Sequence, residues 1–178
     1  MAEIKSAIEI AMERTKSLHL SSEEKARLKE EELQSKARGL VNRFLEVDLH
    51  FREVEKELAK YSPEQRSQVE KSMIEDFTAG MDPDRDNELI FQGIETLAPD
   101  KKKTLLKGKE LQKEYLTQKE KERQKVEKTL RKKLEPMGIS GPAVLPKVEG
   151  TREWADALSA FRALYEERFK NVQEELRK

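Results

Sequence analysis

The 178-residue chain has no cysteine, one tryptophan, seven glycines, six prolines and only 6% aromatic residues. Without thiols there is no disulfide framework, no thiolate nucleophile and no cysteine-ligated metal. No apolar run approaches the roughly 18 residues of a membrane span. Met1-Ala2-Glu3-Ile4-Lys5 carries neither the basic start nor the continuous apolar stretch of a secretory signal, so the expected location is cytoplasmic. Apolar side chains are also scarce, at 35% of the chain, against about 45–50% in an ordinary domain. Leu, Ile, Val and Phe number 41, just above the roughly 20% level below which chains tend to stay disordered. What abounds is charge: 36 Lys plus Arg balance 36 Asp plus Glu, 40% of the chain. Ala, Glu, Leu, Lys and Arg together make 98 of the 178 residues, the composition of long helices.

The clearest pattern runs from Leu33 to Tyr61. Leu33, Ala37, Leu40, Phe44, Val47, Phe51, Val54, Leu58 and Tyr61 follow a 4-3-4-3 spacing without a break. Four heptads of this kind form a coiled-coil-type seam. Ser21 and Glu24 supply a capping box at its start, so one helix is expected over about 22–61. Val41, Leu45 and Leu49 add a second stripe, which gives its middle two neighbours. A short amphipathic helix is expected over 3–18, with Ile4, Ile8 and Met12 in line and His19 at its end. Ser62-Pro63-Glu64-Gln65 restarts the chain as a helix through cap, N1 proline and N3 glutamine. That helix buries Val69, Met73 and Phe77 and ends at Gly80. A short helix with Leu89, Ile90, Ile94 and Leu97 follows, and Ala98-Pro99-Asp100 opens a long one over about 100–135. Residues 117–125 contain no apolar side chain, so that part either projects or covers its neighbours with lysine and arginine stems. Three prolines and three glycines exclude a helix over 136–150. The apolar Met137, Ile139, Val144, Leu145 and Val148 point to an extended strap on the bundle surface. Thr151 caps a last helix over about 152–177, with Trp154, Leu158, Phe161 and Tyr165 in a row expected to face the Leu33–Tyr61 seam.

The zero net charge conceals segregation. Residues 101–133 hold 14 Lys/Arg and 5 Asp/Glu, net +9, and residues 1–100 carry −8. Asp82, Asp84, Asp86, Glu88, Glu95 and Asp100 against Arg85 put −5 immediately before the basic helix. That helix could serve as a phosphate-binding surface or as a solvated face partly neutralised by the acidic segment. Tyr115 is its only aromatic, which gives little for base stacking. It lacks the apolar face of a membrane-surface helix.

Familiar chemistries find no footing. Asp82 to Leu89 resembles the front of an EF-hand loop, but Asn87 replaces its glycine and Gly93 stands where the bidentate glutamate belongs. A helix-capping loop is the better reading. His50, with Glu46 and Glu53, is a single Glu-x-x-x-His and not the paired Glu-x-x-His of a di-metal bundle. Gly108-Lys109 lacks the upstream glycine and the following Ser/Thr of a phosphate loop. No cofactor is expected.

The opening EIKSAIEIAMERT (Glu3 to Thr15) and the GPAV of the strap (Gly141 to Val144) resemble an uncharacterised family of short bacterial helical proteins. The resemblance implies a bacterial, cytosolic setting and no site residues. The expected molecule is a single domain over 1–178, an elongated antiparallel all-α bundle with coiled-coil-like long helices. The expected function is non-enzymatic: an interaction or scaffold protein with a protein partner and no membrane association, homodimerisation being open. Its partner surface would be the exposed part of the seam or the basic face bearing Lys119, Lys121, Arg123, Lys125, Arg131, Lys132 and Lys133. The alternative is nucleic-acid binding through those residues and Lys101–Lys103.

Overall fold

A computed structural model describes residues 21–46 and 49–178. Among these residues the chain forms six α-helices and no strand. They are α1 Ser22–Leu45, α2 Phe51–Leu58, α3 Pro63–Gly80, α4 Glu88–Leu97, α5 Lys102–Leu134 and α6 Arg152–Arg177. Short 3₁₀ turns occupy Pro99–Lys101 and Glu135–Met137. The fold is all-α, packed as a helical bundle. The expected helix over 3–18, His19 and Val47 lie outside the described residues.

Helix starts follow local chemistry. The Glu24 N–H donates to Ser21 Oγ at 3.1 Å, and Glu24 Oε2 accepts the Ser21 N–H at 2.7 Å. Ser62 and Gln65 repeat this box ahead of Pro63, and Thr151 Oγ1 accepts the Trp154 N–H at 3.2 Å. Each box satisfies backbone donors that no intrahelical carbonyl can reach. Gly80 closes α3, and the chain leaves through an extended Met81.

The single helix expected over 22–61 is in fact two. α1 ends at Leu45, and His50 takes an extended conformation as the N-cap of α2, its N–H donating to Glu53 Oε2 at 2.9 Å. His50 therefore does not share a helical face with Glu46. The rings of Phe44 and Phe51 explain the break. Seven residues apart, they would stand about 10 Å from each other along a straight helix. Here their centroids are 5.7 Å apart, edge to face, and Phe44 meets Phe77 the same way at 5.8 Å. Edge-to-face pairs add about 0.5–1.5 kcal/mol to the area they bury. A straight helix would carry Val54 and Leu58 away from the body, whereas the turn buries both along with Leu49.

The pairing of seams also differs from expectation. α1 lies mainly against α3, and α6 lies mainly against α5 with α3 as its second neighbour. The seam of α1 is closed by Val69, Met73 and Phe77, and one contiguous core runs from Leu33 to Leu176. α4 fits tightly because position 93 is glycine: a Cβ there would lie 2.6 Å from Phe77 Cζ. Gly108 lets α5 approach in the same way, with a would-be Cβ 3.3 Å from Val172 Cγ1 and 3.4 Å from Phe91 Cε1. A mid-helix glycine costs about 1 kcal/mol against alanine, so this close approach is what gives it a place.

α5 spans about 50 Å at 33 residues. Its end is a Schellman turn: Gly138 sits at φ 76°, and the Ile139 and Gly138 N–H groups donate to the Leu134 and Glu135 carbonyls. The strap that follows is non-helical as expected, but it hides little. Val148 is buried, whereas Met137, Ile139 and Leu145 are exposed. The seventeen residues between the two helices are held by one apolar anchor and by the Arg123–Glu149 ion pair.

Candidate interaction surface

The acidic loop between α3 and α4 is folded onto the basic helix. Asp84 Oδ1 accepts hydrogen bonds from Tyr115 Oη at 2.8 Å and Lys119 Nζ at 2.6 Å, while Arg162 Nη2 lies 3.2 Å from Oδ2. Inside the loop, Asp82 Oδ1 accepts the Asp84 N–H and Asp86 Oδ1 accepts the Glu88 N–H, each at 2.9 Å. The buried Asn87 amide spans the turn, accepting from the Asp82 N–H at 3.1 Å and donating to the Asp82 carbonyl at 2.7 Å. Gln112 of α5 donates to the Arg85 carbonyl, and Gln173 of α6 donates to the Met81 carbonyl at 3.2 Å. The carboxylates of the EF-hand-like loop are already engaged: Asp82 closes the turn, Asp86 accepts the first N–H of α4, and Asp84 cross-links the loop to α5. Among the described residues no group of three or more His, Asp or Glu is disposed to hold a metal ion.

A second polar knot ties α5 to α6. Arg168 grips both carboxylate oxygens of Glu114 at 2.8 Å, and Tyr165 Oη donates to Glu114 Oε1 at 2.9 Å. These bonds hold the Glu114 carboxyl down at about 2, well below the ordinary glutamate value of 4.5. Burial pulls Asp84 upward, but the Lys119 and Tyr115 hydrogen bonds and the charges of Lys119 and Arg162 outweigh it and leave its carboxyl depressed. Burial and the Asp84 carboxylate together push the Tyr115 phenol up. A depressed carboxyl stabilises the fold above its unfolded pKa and loses that contribution as pH falls through the folded value. Acid unfolding followed by circular dichroism is therefore expected to steepen between pH 4.5 and about 2. Glu114→Gln should flatten that segment and leave the neutral-pH helix signal intact. An unchanged acid limb would refute the assignment.

Five of the seven basic positions already have partners. Lys119 pairs with Asp84, Arg123 with Glu149 at 2.9 Å, Lys125 with Glu122 at 2.6 Å, Arg131 with Glu127 at 2.8 Å, and Lys133 with Glu153. Lys121 and Lys132 are exposed and have no ion pair among the described residues. Lys102 and Lys109 lie 3.5 and 3.6 Å from Glu95 and Glu88, so the acidic and basic segments of the sequence are folded against each other. Residues 117–125 pack through charge: Lys119 and Arg123 are half-buried, and their head groups anchor the loop and the strap. The Leu33–Tyr61 seam offers no surface, because its described residues up to Leu58 are closed in the core or packed against it.

The distal parts of α5 and α6 remain. Past Lys119, the ion pairs of α5 with other elements among the described residues stay within this helical hairpin and its connecting strap, through Arg123–Glu149 and Lys133–Glu153. Val126 and Val148 are buried there, apart from the main core. On the opposite side of α6, an open cleft of about 760 Å³ is lined by Met81, Asp82, Arg162, Glu166, Lys170 and Arg177, among others. Its cations and carboxylates nearly balance, so it offers no field of one sign.

The Asp84–Tyr115–Arg162 cluster is not evident in the sequence. Its one visible trace is Tyr115, the lone aromatic in the basic run; the 31 residues separating Tyr115 from Asp84 hide the pairing. No family model, curated protein or solved structure matches the chain.

Proposed function

We propose that this chain is a non-enzymatic interaction protein whose α-helical body holds out the distal α5–α6 hairpin to a protein partner. The observation that carries the reading is the hairpin beyond Lys119, which is tied only to itself among the described residues. A rigid body behind it is consistent with such a role, since Asp84 and Glu114 lock α5 to the loop and to α6. The resemblance of Glu3–Thr15 and Gly141–Val144 to short bacterial helical proteins adds a bacterial, cytoplasmic setting to the proposal. No helix of the described residues is long and apolar enough to cross a membrane.

Photo-crosslinkers placed at Lys121, Lys128 and Leu145 in the native host should trap one stoichiometric protein, and crosslinkers on α1 should not. Repeated recovery of the chain alone would count against the reading. Nucleic-acid binding is the weaker alternative, because internal pairing of five of the seven cations leaves few to replace counterions. Fluorescence anisotropy with single- and double-stranded probes at low salt should show no salt-dependent binding. Steeply salt-dependent binding, lost on charge reversal at Lys121, Lys128 and Lys132, would restore that alternative.

A further inference from the structure

The outer face of α6 carries a charge row of which only Arg162 is ion-paired among the described residues. Arg162, Glu166, Lys170 and Glu174 recur every four residues with alternating sign, and Glu166, Lys170 and Glu174 are exposed. Side chains at this spacing are neighbours on a helix. Even so, the ion pairs of α6 among the described residues are Lys133–Glu153, Lys107–Glu175, Arg152–Asp156, Arg162–Asp82, Arg162–Asp84 and Arg168–Glu114, and none joins two members of the row. The row borders the 760 Å³ cleft, which Met81, Pro83 and Phe169 also line.

From this arrangement we infer that the row is a self-association surface and that its occupant is α6 of a second copy of the chain, running antiparallel. The reason is the order of the signs. A row reading plus, minus, plus, minus becomes minus, plus, minus, plus when turned through a twofold axis. Glu166 then faces Lys170 of the second copy, and Lys170 faces its Glu166. Arg162 and Glu174 meet in the same reciprocal way at the edges. A purely acidic or purely basic partner would satisfy only half of the row and be repelled by the other half. The geometry is ordinary, since rows of every fourth residue lie parallel when two helices cross at about −50°, the commonest packing class. An interface of this kind is isologous, the usual form of a homodimer. The charges set register and partner while each exposed pair contributes little, and Met81 and Phe169 are already buried within the chain, so the dimer is a weak one. The inference goes beyond the proposed hairpin function and does not depend on it. It also gives the dimer two hairpins directed away from each other.

Charge reversal tests it on the intact chain by sedimentation velocity. Wild type should dimerise, and more weakly in high salt. Glu166→Lys alone and Lys170→Glu alone each create two like-charge contacts and should weaken the dimer at least about tenfold. Mixing these two single variants should restore association as a heterodimer, since every facing pair is again opposite. The double variant E166K/K170E should dimerise by itself. Both positions are exposed, and circular dichroism should show unchanged helix content. A monomeric wild type overturns the inference, as does a dimer indifferent to the single reversals. Reversals that are not rescued by mixing overturn it as well, by tracing the loss to something other than facing charges.

Discussion

Replacing Tyr115 by alanine is expected to destabilise the protein by about 3–5 kcal/mol, the range for removing a buried ring. For a chain of this size that is a fall in Tm of roughly 10 °C. The ring is fully buried and meets Phe161, Tyr165 and Phe169 at centroid distances of 5.0, 5.3 and 6.2 Å. Its loss therefore opens a cavity where α5 meets α6. Tyr115→Phe keeps the ring and removes only the bond to Asp84, for about 1.5 kcal/mol, the lower end for a bond to a charged acceptor, because Lys119 and Arg162 remain to balance the carboxylate. Asp84→Ala should cost more than that, about 2–4 kcal/mol, since it strands a buried hydroxyl and leaves two cations facing each other. Urea unfolding of the single variants and of the Tyr115→Phe/Asp84→Ala double variant gives the coupling directly. Additive effects would mean that the bond between them contributes nothing.

Gly93→Leu carries the second large effect, a loss of more than about 3 kcal/mol, above the usual cost of overpacking. The new Cβ alone would stand 2.6, 2.8 and 3.0 Å from three atoms of the Phe77 ring. Phe77 cannot retreat, because it is fully buried and set edge to face against Phe44. Gly93→Ala should also destabilise, by less, because it adds one carbon and gains about 1 kcal/mol of helix propensity. Pairing Gly93→Leu with Phe77→Ala should recover part of the loss, as the added side chain enters the space the ring vacates. Without recovery in the double variant, the contact with Phe77 would not be the cause.

Much of the fold was legible because caps and periodicity act over three to seven residues. Ser21, Ser62 and Thr151 mark helix starts that the structure reproduces, and α5 and α6 fall within two residues of their expected spans. The Leu33–Tyr61 pattern identified Leu33, Ala37, Leu40, Phe44, Val54 and Leu58 as buried and misjudged the path of the chain between them. A heptad spacing is satisfied equally by one long helix and by two helices that fold back on each other. What decides is whether Phe51, Val54 and Leu58 find neighbours, and those neighbours are Phe44 of α1 and the side chains of α3.

The strap is non-helical, as its prolines and glycines require, and of its apolar residues only Val148 is buried. Gly138 directs the chain back from the end of α5, where too little bundle remains to cover Met137, Ile139 and Leu145.

The absence of cysteine excluded thiol chemistry, and the abundance of Ala, Glu, Leu, Lys and Arg with the few apolar residues placed at helical spacing determined the helical class and the long elements. Those are properties of composition and short-range spacing. Tertiary structure alone decided that the acidic stretch from Asp82 to Glu95 lies against the basic helix, so that Asp84, Glu88 and Glu95 neutralise Lys119, Lys109 and Lys102. It decided too that the Leu33–Tyr61 seam is closed, leaving the outer face of α6 as a row of exposed alternating charges. Charge balance along a chain does not say which charges meet, because that depends on helix pairing, and helix pairing is set by contacts tens of residues apart.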